Sequence, residues 1–449
     1  MSPTFQALHV RNYRIYATGA LVSNVGTWMQ RVAQDWLVLQ LTGQSGVALG
    51  ITTGLQFLPA LLLSPLAGVV ADRFPKRRVL FFTQSGMMVP AALLGLLAIT
   101  GVAAPWMVYA IAFVFGIGTA FDAPARQSFV VEMVGTGDLA NAVGLNSASF
   151  NAARIVGPAA AGGLIALLGS GVSATGWAIL INAASYLAVI ASLKRMHTSE
   201  LSAPPLVPRG RAVRDGLAYV RARPDLMVIL STIFFVGTFG MNFQLTSALM
   251  ATRVFHKGAG EYGVLGSAMA VGSLLGALLA ARRPRPRVRL VIGAAVAFSV
   301  AEVIGGMMPT YAEFALWCPV VGLCALTLLT TANATMQITV DSQMRGRVAA
   351  LYIMILMGGT PAGAPFIGWI GQSFGARWTL IGGGLLTLVG TLGSLAVFSR
   401  ALRWSPAEMS RDLAESWQRR RALGYARGDD AVIDQKYASV SAPDGPTSS

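Results

Sequence analysis

Apolar residues along this chain form long stretches, separated by short polar segments that are rich in arginine, lysine and proline. A helix needs roughly 20 apolar residues to cross the hydrocarbon core of a bilayer. The pattern therefore predicts an all-α polytopic membrane protein with twelve membrane-spanning helices, here called spans. In chain order they are expected near residues 13–41, 46–71, 79–100, 105–127, 139–169, 174–195, 226–251, 261–281, 289–308, 312–335, 347–371 and 376–398.

The composition supports a lipid-facing exterior. Hydrophobic residues make up 54% of the 449 residues and charged residues only 12%. A soluble protein of this length needs far more charged surface, because its exterior faces water. A soluble globular class is therefore excluded.

The net charge of +15 is unevenly placed along the chain. Most Lys and Arg residues fall in the tails and in alternate loops, including 72–78 and 282–289, and only Arg253, Lys257 and Arg377 fall in loops on the other side. Positive loops mark the cytoplasmic side. The distribution predicts a plasma-membrane protein with both termini in the cytoplasm, whose basic loops contact anionic lipid head groups rather than nucleic acid.

Four segments are expected from the same pattern. Residues 1–197 form an N-terminal six-helix bundle, and residues 226–400 form a second, pseudo-repeated one. Between them, the Pro- and Arg-rich segment 198–225 is predicted to be a cytoplasmic linker with a short amphipathic helix. Residues 401–449 are predicted to be a cytoplasmic, partly disordered tail.

The most specific motif lies between spans 2 and 3, where Gly68 is followed by Asp72-Arg73 and then by a basic cluster that includes Arg77. The glycine allows close helix approach, and the aspartate suits the positive end of a helix dipole. Any short cytoplasmic loop is basic, so the alternative is a loop without a specific role.

This motif resembles the loop between the second and third helices of the major facilitator superfamily, and the resemblance covers roughly residues 10–400. Residues 22–33 (VSNVGTWMQRVA) and 55–59 (LQFLP) are similar to the enterobactin-exporter-like branch of bacterial efflux carriers. The resemblance implies alternating access between two membrane faces. It also implies that Asp72 belongs to a cytoplasmic gate rather than to the substrate site.

Three departures from the family pattern limit what is carried over. Ala112 stands where many proton-coupled relatives carry an arginine, and residues 280–289 keep the basic cluster but lack the glycine and aspartate of a second gate. The fifth-span antiporter motif is present as Gly157-Pro158-Ala-Ala-Ala-Gly-Gly, with one residue too many. Export is favoured and proton antiport remains open. Gly157, Pro158 and the matching Pro361 of span 11 are expected to pack helices closely.

Four polar residues in span 1, Asn24, Trp28, Arg31 and Asp35, are spaced to lie on one helix face. Charges inside a membrane usually face a cavity or the bundle interior. One interpretation is a cavity-lining stripe with Asp35 as a proton or cation site. The other is a structural Arg31–Asp35 ion pair near the outer interface.

In span 5, Asn151 and Arg154 form a similar stripe, and no acid in the same helix balances Arg154. Asp35 or an anionic substrate are the candidate partners of Arg154, and a purely structural pairing is the alternative.

The remaining polar positions fall into two groups. Asp122 and Arg126, four residues apart near the cytoplasmic end of span 4, are expected to join the cytoplasmic gate. Glu302 in span 9 is a coupling-ion candidate, while Asn242 in span 7 and Gln337 in span 10 are candidate ligand contacts. Hydrogen bonding between helices is the alternative role for the two amides.

The sequence offers no pattern for enzyme chemistry. Its three histidines are far apart, and no metal-ligand spacing, phosphate-binding loop or nucleophile elbow is present. We therefore expect no cofactor, no metal and no direct use of ATP. The function predicted is a monomeric secondary transporter that exports a small amphipathic molecule, such as a siderophore, an antibiotic or another drug-like compound, with protons as the candidate coupling ion. An uptake carrier of the same fold and a transporter-derived membrane sensor are the alternatives.

Overall fold

The computed structural model describes residues 3–135, 137–201, 212–281 and 287–402, and within these ranges the chain is helical with no strand. Eleven helices among the described residues are long and apolar enough to span a membrane. Span 1 is long enough, at 31 residues, but its charged residues lower its mean hydropathy. The all-α, twelve-helix prediction is confirmed. In order, the spans are Arg11–Leu41, Gly46–Arg73, Lys76–Ile99, Pro105–Val134, Leu139–Leu167, Val172–Arg195, Pro224–Val254, Ala259–Ala281, Val288–Met307, Tyr311–Thr339, Arg345–Ser373 and Arg377–Leu402.

The predicted amphipathic helix of the linker is present as Ala212–Arg221 and lies against the start of span 11. Asp215 pairs with Arg347 at 3.2 Å, and the Tyr219 hydroxyl donates to Asp341 at 3.0 Å. Residues 202–211 of the linker and the tail beyond residue 402 lie outside the described residues. The four segment boundaries therefore stay a prediction.

Span 7 is not a continuous α-helix. A π-helical turn at Val236–Gly240 is followed by an interruption, and the α-helix resumes at Phe243. Span 11 packs against this turn so closely that a β-carbon added at Gly359 would lie 3.0 Å from the Thr238 Cα. Irregular backbone at membrane depth is tolerated where protein buries it, and span 11 supplies that cover.

The two six-helix sets, here the first half (spans 1–6) and the second half (spans 7–12), meet along two helix pairs. Span 2 contacts span 11, and span 5 contacts span 8. Because successive spans run in opposite directions, the start of span 1 and the end of span 2 lie at the same face of the molecule. We call it the terminal face, and the other the opposite face.

Glycines line both helix pairs in their parts nearer the opposite face, and we call these contacts the glycine seams. In span 2, β-carbons added at Gly50 and Gly54 would lie 2.5 Å from the Ala364 carbonyl oxygen and 2.8 Å from that of Pro361. In the other seam, Gly162 of span 5 lies against the Ala259 backbone at the start of span 8. Only residues without a β-carbon allow such close approach of helix backbones.

Candidate functional site

Two arginines from different helices share one tryptophan near the middle of the molecule. Gly26 is midway along span 1, so Trp28 lies about 3 Å further along the helix axis. The guanidinium carbon of Arg31 is 4.8 Å from the Trp28 ring centroid, and that of Arg154 in span 5 is 5.7 Å from it. Gly157 fixes this arrangement, because a β-carbon there would lie 2.5 Å from the Trp28 Cβ.

The partners of the two arginines are neutral. Arg154 Nη2 donates to the Ser273 hydroxyl of span 8 at 3.0 Å, which links the two halves. Arg31 lies over the Phe57 ring at 5.9 Å as well as over Trp28, and its Nε is buried without a hydrogen-bond partner. Within the described ranges, neither arginine forms an ion pair with a carboxylate. We call Trp28, Arg31 and Arg154 the arginine–tryptophan cluster.

The Arg31–Asp35 ion pair that the spacing allows is not formed. Asp35 instead accepts a hydrogen bond from the Tyr262 hydroxyl of span 8 at 3.0 Å, and only 6% of its surface is exposed. The ring of Tyr262 stacks on Trp36 with centroids 6.3 Å apart. Asp35 therefore joins the two halves, on the side of the cluster nearer the opposite face.

The other predicted residues of spans 1 and 5 surround the cluster. Asn24 is half-buried one turn before Trp28. Asn151 is half-buried one turn before Arg154, and its side chain donates to the Ser147 carbonyl of its own helix at 2.8 Å. Phe150, which is exposed, packs edge-on to Trp28 with centroids 5.7 Å apart. The cluster thus combines two cations with an aromatic wall.

The three candidates of the second half lie elsewhere. Glu302 is 2% exposed and borders the break in span 7, since a β-carbon added at Gly240 would lie 3.2 Å from its Oε2. Asn242 donates to the Thr238 carbonyl at 2.9 Å. Among described atoms, Glu302 Oε2 and Asn242 Oδ1 are both buried without a hydrogen-bond partner. Gln337 is exposed near the terminal face and donates to Asn333 at 3.2 Å.

The span 4 residues of the predicted cytoplasmic gate form a buried network within the first half. The Asp122 carboxylate accepts hydrogen bonds from Gln84 at 2.6 Å, from Thr83 at 2.9 Å and from Arg126 at 2.9 Å. Arg126 also forms a salt bridge with Asp122, four residues earlier in the same helix. These contacts join spans 3 and 4.

The loop residues of the predicted gate lie at the terminal face of the first half. Gly68 and Asp72 are in the last two turns of span 2, and Arg73 is exposed. Arg77 donates from its Nε to the Leu193 carbonyl at 2.6 Å and so binds the end of span 6. A positive side chain at a helix C-terminus stabilises the last carbonyls.

One buried ion pair in this region was not predicted. Lys76, at the start of span 3, pairs with Glu132 near the end of span 4 at 2.8 Å, and their side chains are 9% and 6% exposed. All basic residues of this loop were expected to lie at the membrane surface. The available signal was an acid near the end of span 4, on the same membrane side as the cluster.

The predicted packing residues lie in the glycine seams. Pro158 of span 5 faces Gly263 and Gly266 of span 8, and a β-carbon added at Gly266 would lie 3.1 Å from the Pro158 Cβ. Pro361 of span 11 faces Gly54 of span 2. The two prolines therefore occupy corresponding places, each against a glycine of the other half.

Comparison with known proteins identifies the fold and the family. The family model described as transmembrane secretion effector matches residues 2–421. The chain is 25% identical to a staphyloferrin A transporter of Staphylococcus aureus (82% of this chain, 91% of the relative) and 28% identical to the multidrug efflux pump Tap of Mycolicibacterium fortuitum (86% and 94%). It is 23% identical to the macrolide efflux protein A of Streptococcus pyogenes (84% and 93%).

Solved structures show the same fold at low sequence identity. A bacterial homologue of the human lysosomal transporter Spinster, in an inward-facing and unoccupied conformation, matches with a TM-score of 0.68 and 16% identity, over 90% of this chain and all of that one. The nucleoside transporter NupG matches with a TM-score of 0.65 and 11% identity, over 86% and 99%. The resemblance stated from the gate motif is confirmed. The chain belongs to the transmembrane secretion effector family of the major facilitator superfamily and is a multi-pass membrane transporter of small molecules, not an enzyme.

Proposed function

We propose that this protein exports a small amphipathic molecule across the cell membrane by alternating access. The names of three relatives support the substrate class, since they are a staphyloferrin A transporter, a multidrug efflux pump and a macrolide efflux protein. The description of the family as secretion effectors supports the direction.

The observation that carries the proposal is where the two halves touch. The glycine seams and the Asp35–Tyr262 hydrogen bond all lie on the opposite-face side of the arginine–tryptophan cluster. Carriers of this architecture bind substrate near the bilayer midplane, between two helix sets that rock against each other. A site closed towards the opposite face receives its substrate from the terminal face.

The direction of transport depends on which side the terminal face occupies. The excess of Lys and Arg in the loops of that face favours the cytoplasm. In that orientation an exporter binds substrate from the cytoplasm while the opposite face is closed, and it releases the substrate at the opposite face after the glycine seams separate. Closure of the terminal face would then engage the predicted cytoplasmic gate, whose contacts through Arg77, Asp122 and Arg126 lie within the first half in this structure.

Energy for export is proposed to come from protons moving inward. A carboxylate that loses its hydrogen-bond partner when the halves separate is suited to binding a proton at that step. Asp35 meets this condition because its partner, Tyr262, belongs to the other half. Glu302 is a second candidate, buried beside the break in span 7.

Transport in membrane vesicles tests the proposal. Everted vesicles that contain the protein are expected to accumulate fluorescent, amphipathic test compounds when respiration acidifies their interior, and an uncoupler should abolish this accumulation. Vesicles that contain Arg154→Ala are expected to accumulate less, and Arg195→Ala, an exposed arginine outside both the arginine–tryptophan cluster and the predicted gate, provides the matched control. Accumulation only in right-side-out vesicles would contradict export and support the uptake alternative. Accumulation that an uncoupler leaves unchanged would contradict proton coupling.

A further inference from the structure

We infer that the arginine–tryptophan cluster is a binding site for an anionic group attached to an aromatic or otherwise flat apolar body. The substrate class of the carrier would then be amphipathic organic anions, with a carboxylate or a similar oxyanion as the recognised group. This inference rests on the proposed function, because it specifies the substrate of the same midplane site.

The first step is that two positive charges of the cluster have no salt-bridge partner among the described residues. Arg31 and Arg154 place two positive charges around one ring near the middle of a membrane protein, and within the described ranges neither pairs with a carboxylate. An arginine at this depth is expensive unless a counter-charge or water accompanies it. The Trp28 ring attracts cations but leaves their net charge unchanged.

The second step concerns the nearest acid. Asp35 is one helical turn from Arg31 and attracts it electrostatically, but the two side chains form no salt bridge, and the Asp35 carboxylate accepts a hydrogen bond from Tyr262 at 3.0 Å. A single negative charge would in any case leave the pair of arginines with a net positive charge. The buried, unpartnered Nε of Arg31 is a hydrogen-bond donor that a ligand oxygen can satisfy.

The third step is the shape of the site. Guanidinium groups bind carboxylates and other oxyanions through parallel hydrogen bonds, which a lysine cannot reproduce. Trp28, Phe57 and Phe150 surround these donors with aromatic surface. The cluster lies near mid-depth, whereas lipid phosphates lie at the membrane surface, so the chemistry fits a transported molecule better than a lipid head group.

Two probes of nearly the same shape, one a carboxylate and the other a neutral amide, provide the test. Purified full-length protein is titrated with 2-naphthoate and with 2-naphthamide in a calorimeter. We expect 2-naphthoate to bind at least about tenfold more tightly, the ratio expected for one charge-assisted hydrogen bond in place of a neutral one. Equal affinities for the two probes would overturn the inference, whatever the variants do.

Variants locate the preference. Arg31→Gln and Arg154→Gln are each expected to reduce the naphthoate preference, and the double variant is expected to reduce it to about one, whereas Arg154→Lys should retain part of it because the charge remains. Ser273→Ala removes the neutral partner of Arg154, so it should preserve or increase the preference. Arg195→Gln, at an exposed position outside the cluster and the predicted gate, is the control and should match the parent. A preference that survives both glutamine substitutions, or that disappears in Ser273→Ala, would contradict the assignment.

The outcome is separable from that of the export assay. Selective binding of 2-naphthoate without accumulation of test compounds in everted vesicles would contradict the proposed direction of transport. The assignment of the anion site would still hold. Accumulation of neutral and cationic compounds in everted vesicles, by a protein that binds both probes equally, would support export and contradict the anion site.

Discussion

The glycine seam between spans 5 and 8 makes a sharp prediction, because two adjacent glycines of span 5 have different surroundings. A β-carbon added at Gly162 would collide with the Ala259 carbonyl oxygen and lie 3.1 Å from the Gly260 Cα. A β-carbon added at Gly163 would meet no atom within 4 Å. Gly162→Ala should therefore disfavour closure of the opposite face, and Gly163→Ala should not.

The size of the effect follows from the packing. Both substitutions gain up to about 1 kcal/mol of helix propensity, but this gain is the same in either conformation of the carrier. Overpacking a tight contact costs about 1–3 kcal/mol, and the cost falls only on the conformation in which spans 5 and 8 touch. The equilibrium should shift towards the state open at the opposite face by roughly 5- to 150-fold.

Spin-label distances measure this shift. Leu168 and Lys257 are exposed at the opposite face, one in each half, and each is replaced by cysteine and labelled after Cys318 and Cys324 have been changed to serine. Gly162→Ala is expected to move the distance distribution towards longer values, while Gly163→Ala keeps that of the parent. Identical distributions in the two variants would refute the steric argument, and so would a larger shift in Gly163→Ala.

Three further predictions concern buried polar groups. Lys76→Ala leaves the Glu132 carboxylate buried without its partner and should lower the free energy of unfolding in detergent by about 3–5 kcal/mol, whereas the exposed Arg78→Ala should change it little. Tyr262→Phe removes one hydrogen bond between the halves and should favour opening of the opposite face about two- to tenfold. The same spin-label distances measure this, and an unchanged distance distribution would count against a stabilising role of the hydrogen bond. Glu302→Gln should leave the thermal midpoint unchanged or raise it, because a neutral amide is less costly to bury than an unpaired carboxylate; a lower midpoint means that Glu302 has a stabilising partner.

The alternation of long apolar stretches with polar loops was sufficient for the number and order of the spans, because a lipid exterior requires long apolar helices whatever their tertiary contacts. Hydropathy alone identifies eleven of them, since the charged residues of span 1 lower its mean hydropathy. It was insufficient inside span 7. The break before Phe243 depends on close packing of Gly359 and Gly363 from span 11, a contact between residues more than a hundred positions apart. The local sequence has no proline at this point, and Gly240 and Asn242, which suit a helix break, do not by themselves distinguish it from a continuous apolar span.

In the candidate site as well, some residues were predictable from the sequence and their partners were not. The spacing of Trp28 and Arg31, and separately the position of Arg154, identified residues that the fold brings to one place. The hydrogen-bond partners of Arg154 and Asp35 were not predictable, because Ser273 and Tyr262 belong to span 8 of the other half. Spacing within one helix suggested an Arg31–Asp35 pair, and the contact between the halves provides Asp35 with a different partner.

The central claim is that the arginine–tryptophan cluster opens to the terminal face, that this face is cytoplasmic, and that the opposite face is closed. It is tested most directly by labelling a single cysteine at Asn151, one turn from Arg154, with a membrane-impermeant maleimide in everted and in right-side-out vesicles. Cysteines at Arg78 and Lys257 report the two faces, in a background without Cys318 and Cys324. The account predicts that Asn151→Cys reacts together with Arg78→Cys in everted vesicles and is protected in right-side-out vesicles, where Lys257→Cys reacts. Faster labelling of Asn151→Cys from the side on which Lys257→Cys reacts would contradict it.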